Sequence, residues 1–483
     1  MVRTKLSPRG GKKAAKQSVP ESADDFQALA DEEESRGGKW RAGDPAKSAR
    51  AFERAVTLYD QGLAQYPDNF DLAYNKARLQ LEVSQQSALL PHWGLSQGDF
   101  LAQTLLSHRK ALTISDDDVD LLFNTAQVLT SLAEELSEQD EAQAIPLLHE
   151  ALELLSSCLA RQEMLLEQQS ADVPDDEDDG GVSLAQPTST SATSERQEES
   201  ATIIQPIVPS DLVDTVHASL SALTTLVALV DGTALTNLEN MAHSLHEEKA
   251  PSYLALMPPD EVDSPRFVMA LDRANFICAL ANARFNAHDI DLRTLVASID
   301  SFNVPDKSSH ADILSAEAAA RTEVVLSALE QSEAGQDISV LECWRQSALA
   351  QEGLSQAVKL NNDDAKELKA RMYRQKGDVE LSRIRIASLP SPDISDAVRN
   401  SRTTLLKNSR TYFKGAIGHS ASLDDAETQA IAETRLKAVD LLIDLDSNSQ
   451  PLVTDDLPEI MSDLVDEGLV GASIMDRIST MLS

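Results

Sequence analysis

Asp71–Leu81, DLAYNKARLQL, recurs 49 residues later at Asp120–Thr130 as DLLFNTAQVLT. Asp71 matches Asp120, Leu72 matches Leu121, Tyr74 matches Phe123, Asn75 matches Asn124 and Ala77 matches Ala126. Within each copy the apolar residues fall three to four apart, the spacing of one helix face. A chain that repeats an amphipathic helix must bury the same stripe more than once. This favours stacked helices over a single enclosed core.

The residues before the first copy supply its partner. In AVTLYDQGLAQYPDN, small Ala55 and Gly62 flank Tyr59 on one helical face, and Pro67-Asp68-Asn69 stops the helix and restarts the chain. Small residues let two helices approach closely, an aromatic fills the space beside them, and proline fixes the turn. The spacing A-x3-Y-x2-G-x4-P, with Ala77 ten positions after Pro67, resembles a tetratricopeptide repeat. Ala144, Leu148 and Ala151 repeat the small-large-small spacing, and Gly43-Asp44 followed by Ala49, Phe52 and Ala55 resembles the second half of a repeat. Leu90–Asp99, LPHWGLSQGD, has the composition of an insertion that lengthens the family's 34-residue period.

The rest of the chain reads as helix with interruptions. Helices are expected at 211–230, 234–248, 267–288 and 310–332, with His288-Asp289 at a turn. A second repeat-like block spans 340–386. There Trp344, Leu349, Leu354 and Ala357 form a stripe, Asn361–Asp364 a turn, Leu368, Met372 and Tyr373 the next helix, and Gly377-Asp378 a further turn. Helices at 394–415 and 424–445 follow, then 457–469 and 472–482 as a cap for the open end of the stack. The expected organisation is a disordered basic-then-acidic tail over 1–38, repeats over 39–170, a disordered acidic Ser/Thr-rich insertion over 171–209, further helical repeats over 210–450 and capping helices over 451–483. The fold class is all-α, a tetratricopeptide-like α-solenoid of antiparallel helix pairs.

Charge narrows the partners. With 79 Asp and Glu against 42 Lys and Arg, the net charge of -37 repels phosphate, so the main body is not expected to contact nucleic acid. The insertion carries PDDEDDGG at 174–181. The first twenty residues are the opposite, with Arg3, Lys5, Arg9, Lys12, Lys13 and Lys16 and no acid before Glu21. That stretch reads as a solvated tail, or as a short import or nucleic-acid-contacting arm. No secretory pattern is visible at the N-terminus, and Leu212–Val230 contains Asp214, His217 and several hydroxyl residues, so it reads as a buried helix and no membrane is expected. Cys158, Cys278 and Cys343 show neither disulfide nor metal spacing, which places the chain in the cytoplasm or nucleus.

Enzymatic signals are sparse. Gly94-Leu95-Ser96-Gln97-Gly98 matches G-x-S-x-G, but that motif acts from a strained strand-to-helix turn, and here an inter-helix loop is expected. His243 and His246 lie three apart beside Glu247 and Glu248 without an apparent third ligand, so a polar helix face is expected. No nucleotide-cradling glycine motif is present, and no catalytic residue, cofactor, metal or small-molecule ligand is expected.

The resemblance implies a non-enzymatic scaffold whose inner surface binds a polypeptide. Tyr74, Arg78, Phe123 and Gln127 are its expected partner-binding residues. Asn75 and Asn124 stand where some relatives have asparagines that grip chaperone tails, but the lysine-asparagine set is incomplete. The acidic body and insertion are similar in style to relatives that act as assembly chaperones for histones or new ribosomal proteins, so the expected partner is a basic protein client. The alternatives are a structural subunit of a larger complex and, as a minor reading, a hydrolase using Ser96.

Overall fold

The computed structural model describes residues 20–137, 140–171, 206–389, 391–423, 425–447, 457–475 and 478. Most of the expected tail (1–19), nearly all of the acidic insertion (172–205) and most of the final expected helix lie outside the described residues. Among the described residues all regular structure is helical. The chain divides into two compact units, Met1–Asp116 and Asp117–Ser483.

The first unit holds α1 (Ala23–Trp40), α2 (Pro45–Gln65), α3 (Phe70–Ser84) and α4 (Gln97–Leu112). Helix α1 corrects the expectation of an unfolded tail through residue 38. Ser22 and Asp25 form a reciprocal capping box, with Ser22 Oγ accepting from Asp25 N at 3.2 Å and Asp25 accepting from Ser22 N at 3.1 Å. Phe26 and Ala30 then bury one face of the acidic helix. Asp44, Asn69 and Ser96 cap the next three helices. Gly62 sits where α1, α2 and α3 meet: a Cβ there would stand 2.8 Å from Leu72 and 3.1 Å from Phe26.

The second unit begins with α5 (Val119–Ser137) and α6 (Glu141–Ala171), resuming after the insertion with α7 (Pro209–Leu229), α8 (Thr233–His243) and α9 (Ala250–Leu254). It continues through α10 (Asp263–Asn286), α11 (Leu292–Ser298), α12 (Ala311–Glu333) and α13 (Val340–Ala357). Then come α14 (Asp363–Glu367), α15 (Lys369–Ser388), α16 (Asp396–Arg399), α17 (Arg402–Leu423), α18 (Ala426–Asp446) and α19 (Leu457–Asp466). Helix α7 is long and apolar enough to cross a membrane by length and composition. Leu212, Val216, Leu220 and Leu223 on it are nonetheless fully buried in the core shared with α6 and α10.

One packing pattern recurs in five helices. In the packed pairs α1–α2, α3–α4, α5–α6, α12–α13 and α15–α17, the second helix carries a small residue, a bulkier one four positions later and alanine three beyond that. The sets are Ser48–Phe52–Ala55, Thr104–His108–Ala111, Ala144–Leu148–Ala151, Ala350–Leu354–Ala357 and Ser409–Phe413–Ala416, and none of these side chains is more than 2% exposed. Offsets of four and seven keep all three on one face. In two pairs the small residue also ties the helices: Ser48 donates to the Gly37 carbonyl at 2.8 Å, and Ser409 to that of Gly377 at 3.1 Å. The stripe expected through Leu349 passes instead through Ala350, because Leu349 is only half-buried.

Gly377-Asp378 is not a turn. Both residues lie inside α15, where Gly377 receives the Phe413 ring and Asp378 is enclosed by Arg374 and Arg435. Arg374 reaches Asp378 at 3.0 Å, and Arg435 bridges Asp378 to Glu467 at 2.5 Å. Arg385 donates to the Gly468 carbonyl at 2.5 Å, so two arginines pin the segment after α19. Leu457, Ile460, Met461 and Leu464 of α19 complete the C-terminal core.

Candidate partner-binding surfaces

Tyr74 and Arg78 lie one turn apart on α3, in the first unit. Tyr74 is half-buried and stacks on Phe70 with ring centroids 5.7 Å apart. Arg78 is already engaged: one nitrogen is 2.6 Å from Glu34 on α1 and another 3.5 Å from Glu82. Buried Tyr59 donates its hydroxyl to the same Glu34 at 2.6 Å. Burial, with the Glu34 carboxylate second, drives that phenol well above its usual range. Arg78 therefore knits α1 to α3, with two carboxylates opposing its charge.

Phe123 and Gln127 stand one turn apart on α5, in the second unit, and both are half-buried. Gln127 has no side-chain hydrogen bond among the described residues. Each pair thus shares a helix face, and the two pairs belong to different units.

The residues weighed for chemistry are otherwise occupied or isolated. Ser96 stands exposed at the end of the inter-helix loop, where it is the N-cap of α4; its hydroxyl accepts from Asp99 N at 3.1 Å and donates to the Asp99 carboxylate at 2.7 Å. Gln97 and Gly98, expected in the loop, are the first residues of α4. His243 is exposed, whereas His246 lies within a single π-helical stretch, Ser244–Lys249, and is held down to about 4 by burial and by Arg273. Among the described residues no group of three or more His, Cys, Asp or Glu side chains could hold a metal ion. The three cysteines are buried and unpaired; burial raises Cys158 to about 11 and Cys343 to about 12, leaving thiols without nucleophilic character. His217 on α7 meets Asp272 on α10 at 2.6 Å, a pair the sequence did not single out.

The second unit also contains a cleft of about 810 Å³ between two chain corners, the α10–α11 connection and the α12–α13 connection. His288 (φ 63°) and Gly335 (φ 93°) turn these corners through the left-handed region. Phe285, Ile290, Leu292, Val296 and Ile338 give the cleft an apolar floor continuous with the core beneath. Asp289, Asp291, Asp337 and Glu342 line it with four carboxylates, against Arg293 and Arg345. His288-Asp289 is a turn, as its sequence implies, but nothing local in the sequence says which distant loop faces it.

No family model matches the chain. It is 35% identical over 153 residues to a UPF0656 protein of Schizosaccharomyces pombe, an alignment covering 32% of this chain and 33% of that relative. Among solved structures, a circular tandem repeat protein with novel repeat topology and enhanced subunit contact surfaces aligns over 95% of this chain and 98% of its own, at 13% identity and a TM-score of 0.29. A score that low carries no conclusion about fold or function.

Proposed function

We propose that this chain is a non-enzymatic, tetratricopeptide-like scaffold that grips basic polypeptides and acts as an assembly chaperone or adaptor, in the cytosol or nucleus, for a client such as a ribosomal protein or histone. The repeat reading rests on the small-large-alanine triplets in the second helix of five packed pairs, with alanine at the last position every time. The client reading rests on one observation above all, the excess of 79 acidic over 42 basic side chains. A field of that sign draws a cationic partner inward and shields it from nucleic acid until assembly. Arg78 enters the reading as a partly exposed strut between α1 and α3, and Tyr74, Phe123 and Gln127 as partly exposed contacts. Ser96 has no catalytic role in it, because its hydroxyl is committed to Asp99.

The test is recovery of purified basic proteins on the immobilised full chain at low and at high salt, with residues 172–200 present or deleted. Recovery at low salt and release at high salt is the expected result. Unchanged recovery after the deletion removes the insertion from the binding surface. A second reading, a permanent subunit of a larger assembly, is favoured by the outward leucines Leu106, Leu256 and Leu341, which are 67%, 59% and 55% exposed. It predicts a stoichiometric complex that survives high salt.

A further inference from the structure

The cleft between the α10–α11 and α12–α13 corners is more than an acidic patch, because its carboxylates stand over an apolar floor and are not equally committed. Asp291 caps α11, accepting from Thr294 N at 2.8 Å and Thr294 Oγ1 at 2.6 Å. Glu342 accepts from Gln346 at 2.6 Å and lies 3.6 Å from Arg345. Asp289 and Asp337, one from each corner, have no side-chain partner among the described residues.

We propose that this cleft receives lysine or arginine side chains from an extended basic segment of the client. The methylenes lie on Ile290, Val296 and Ile338, and the cationic head reaches the uncommitted carboxylates of Asp289 and Asp337. Long cationic side chains characteristically divide in this way, with an apolar stem on apolar surface and the charge in a polar rim. At about 810 Å³ the cleft exceeds the needs of one side chain and suits several consecutive residues. An anionic ligand fits less well: four carboxylates oppose two arginines, and Arg345 already lies beside Glu342. The proposal rests on the reading of a basic client and adds where that client is held.

The experiment titrates the full chain into fluorescently labelled decalysine at low salt and follows anisotropy. Asp289→Asn combined with Asp337→Asn is expected to weaken binding about fivefold. Asp260→Asn combined with Glu261→Gln changes the net charge equally in an exposed loop that carries no ion pair, and is expected to weaken it less than about twofold. Gln336→Arg, which places a cation at the exposed rim, tests the same cleft without touching a carboxylate and should weaken binding as well. Equal weakening by the cleft and loop variants overturns the cleft assignment and leaves the basic-client reading standing. Absence of decalysine binding to the wild-type chain overturns both. Tighter binding of decaglutamate than of decalysine hands the cleft to Arg293 and Arg345 and overturns the proposal.

Discussion

The ring of Phe413 on α17 fills the space that a side chain on Gly377 of α15 would need, and Ser409, one turn before that ring, donates its hydroxyl to the Gly377 carbonyl. Gly37 and Phe52 repeat the arrangement in the first unit, with Ser48 donating to the Gly37 carbonyl. Two helix pairs far apart in sequence are thus closed by the same three residue types.

Gly377→Ala should therefore destabilise the chain although alanine favours helix. Overpacking against a buried ring costs about 1–3 kcal/mol, more than the roughly 0.5–1 kcal/mol gained from helix propensity. Gly418 on α17 has nothing within 4 Å of an added Cβ, so Gly418→Ala should stabilise by about 0.5–1 kcal/mol. Urea unfolding of the two variants should move the midpoint in opposite directions.

His108 occupies the position filled by Phe52, Leu148, Leu354 and Phe413 in the other four pairs. Its Nδ1 lies 3.0 Å from the Thr104 carbonyl, which can only accept, so Nδ1 carries the proton and Nε2 is left buried without a partner. Burial lowers its pKa below 6.5. The unfolded chain then binds a proton that the folded chain resists. This contribution is fully present above pH 6.5 and is lost as pH falls below it. His108→Leu should remove that acid sensitivity and raise stability by about 1–3 kcal/mol, seen as a higher unfolding midpoint with a flatter pH profile.

What could be read in advance follows from range. The stripes through Phe52, Tyr59, Leu148 and Leu354 were legible because helical periodicity is local. Gly377-Asp378 was misread because Gly-Asp has turn chemistry, and only Phe413 and Arg435, from helices further along, make it a buried helical pair. The acidic run at 21–34 looked unable to order until Ser22 capped it and Phe26 and Ala30 found a core. The cleft was invisible for the same reason as the ion cluster: each is assembled from corners or helices that sequence spacing does not bring together.

Arg435 holds Asp378 in the interior and Glu467 at the surface. Burial raises the Asp378 pKa and the two arginines oppose that rise, so removing one arginine strips away part of what offsets the cost of burying this carboxylate. Arg435→Ala should cost about 3–5 kcal/mol by leaving buried charge poorly compensated. Glu467→Gln should cost under about 1 kcal/mol, since that carboxylate is 43% exposed. Hydrogen exchange should show the segment Leu457–Asp466 losing protection in the arginine variant before the rest of the unit.

Ser96→Ala removes a cap and nothing else in this account. It should lower stability by about 1 kcal/mol and leave binding of basic protein unaltered, measured by thermal unfolding and by titration on the same sample.

The most direct test of the central claim is the turbidity of purified core histones mixed with DNA at moderate salt, with and without the full chain at equal molar amount. A scaffold that masks basic clients keeps the mixture clear, and strong salt abolishes the effect. Turbidity that rises equally with and without the chain contradicts the account.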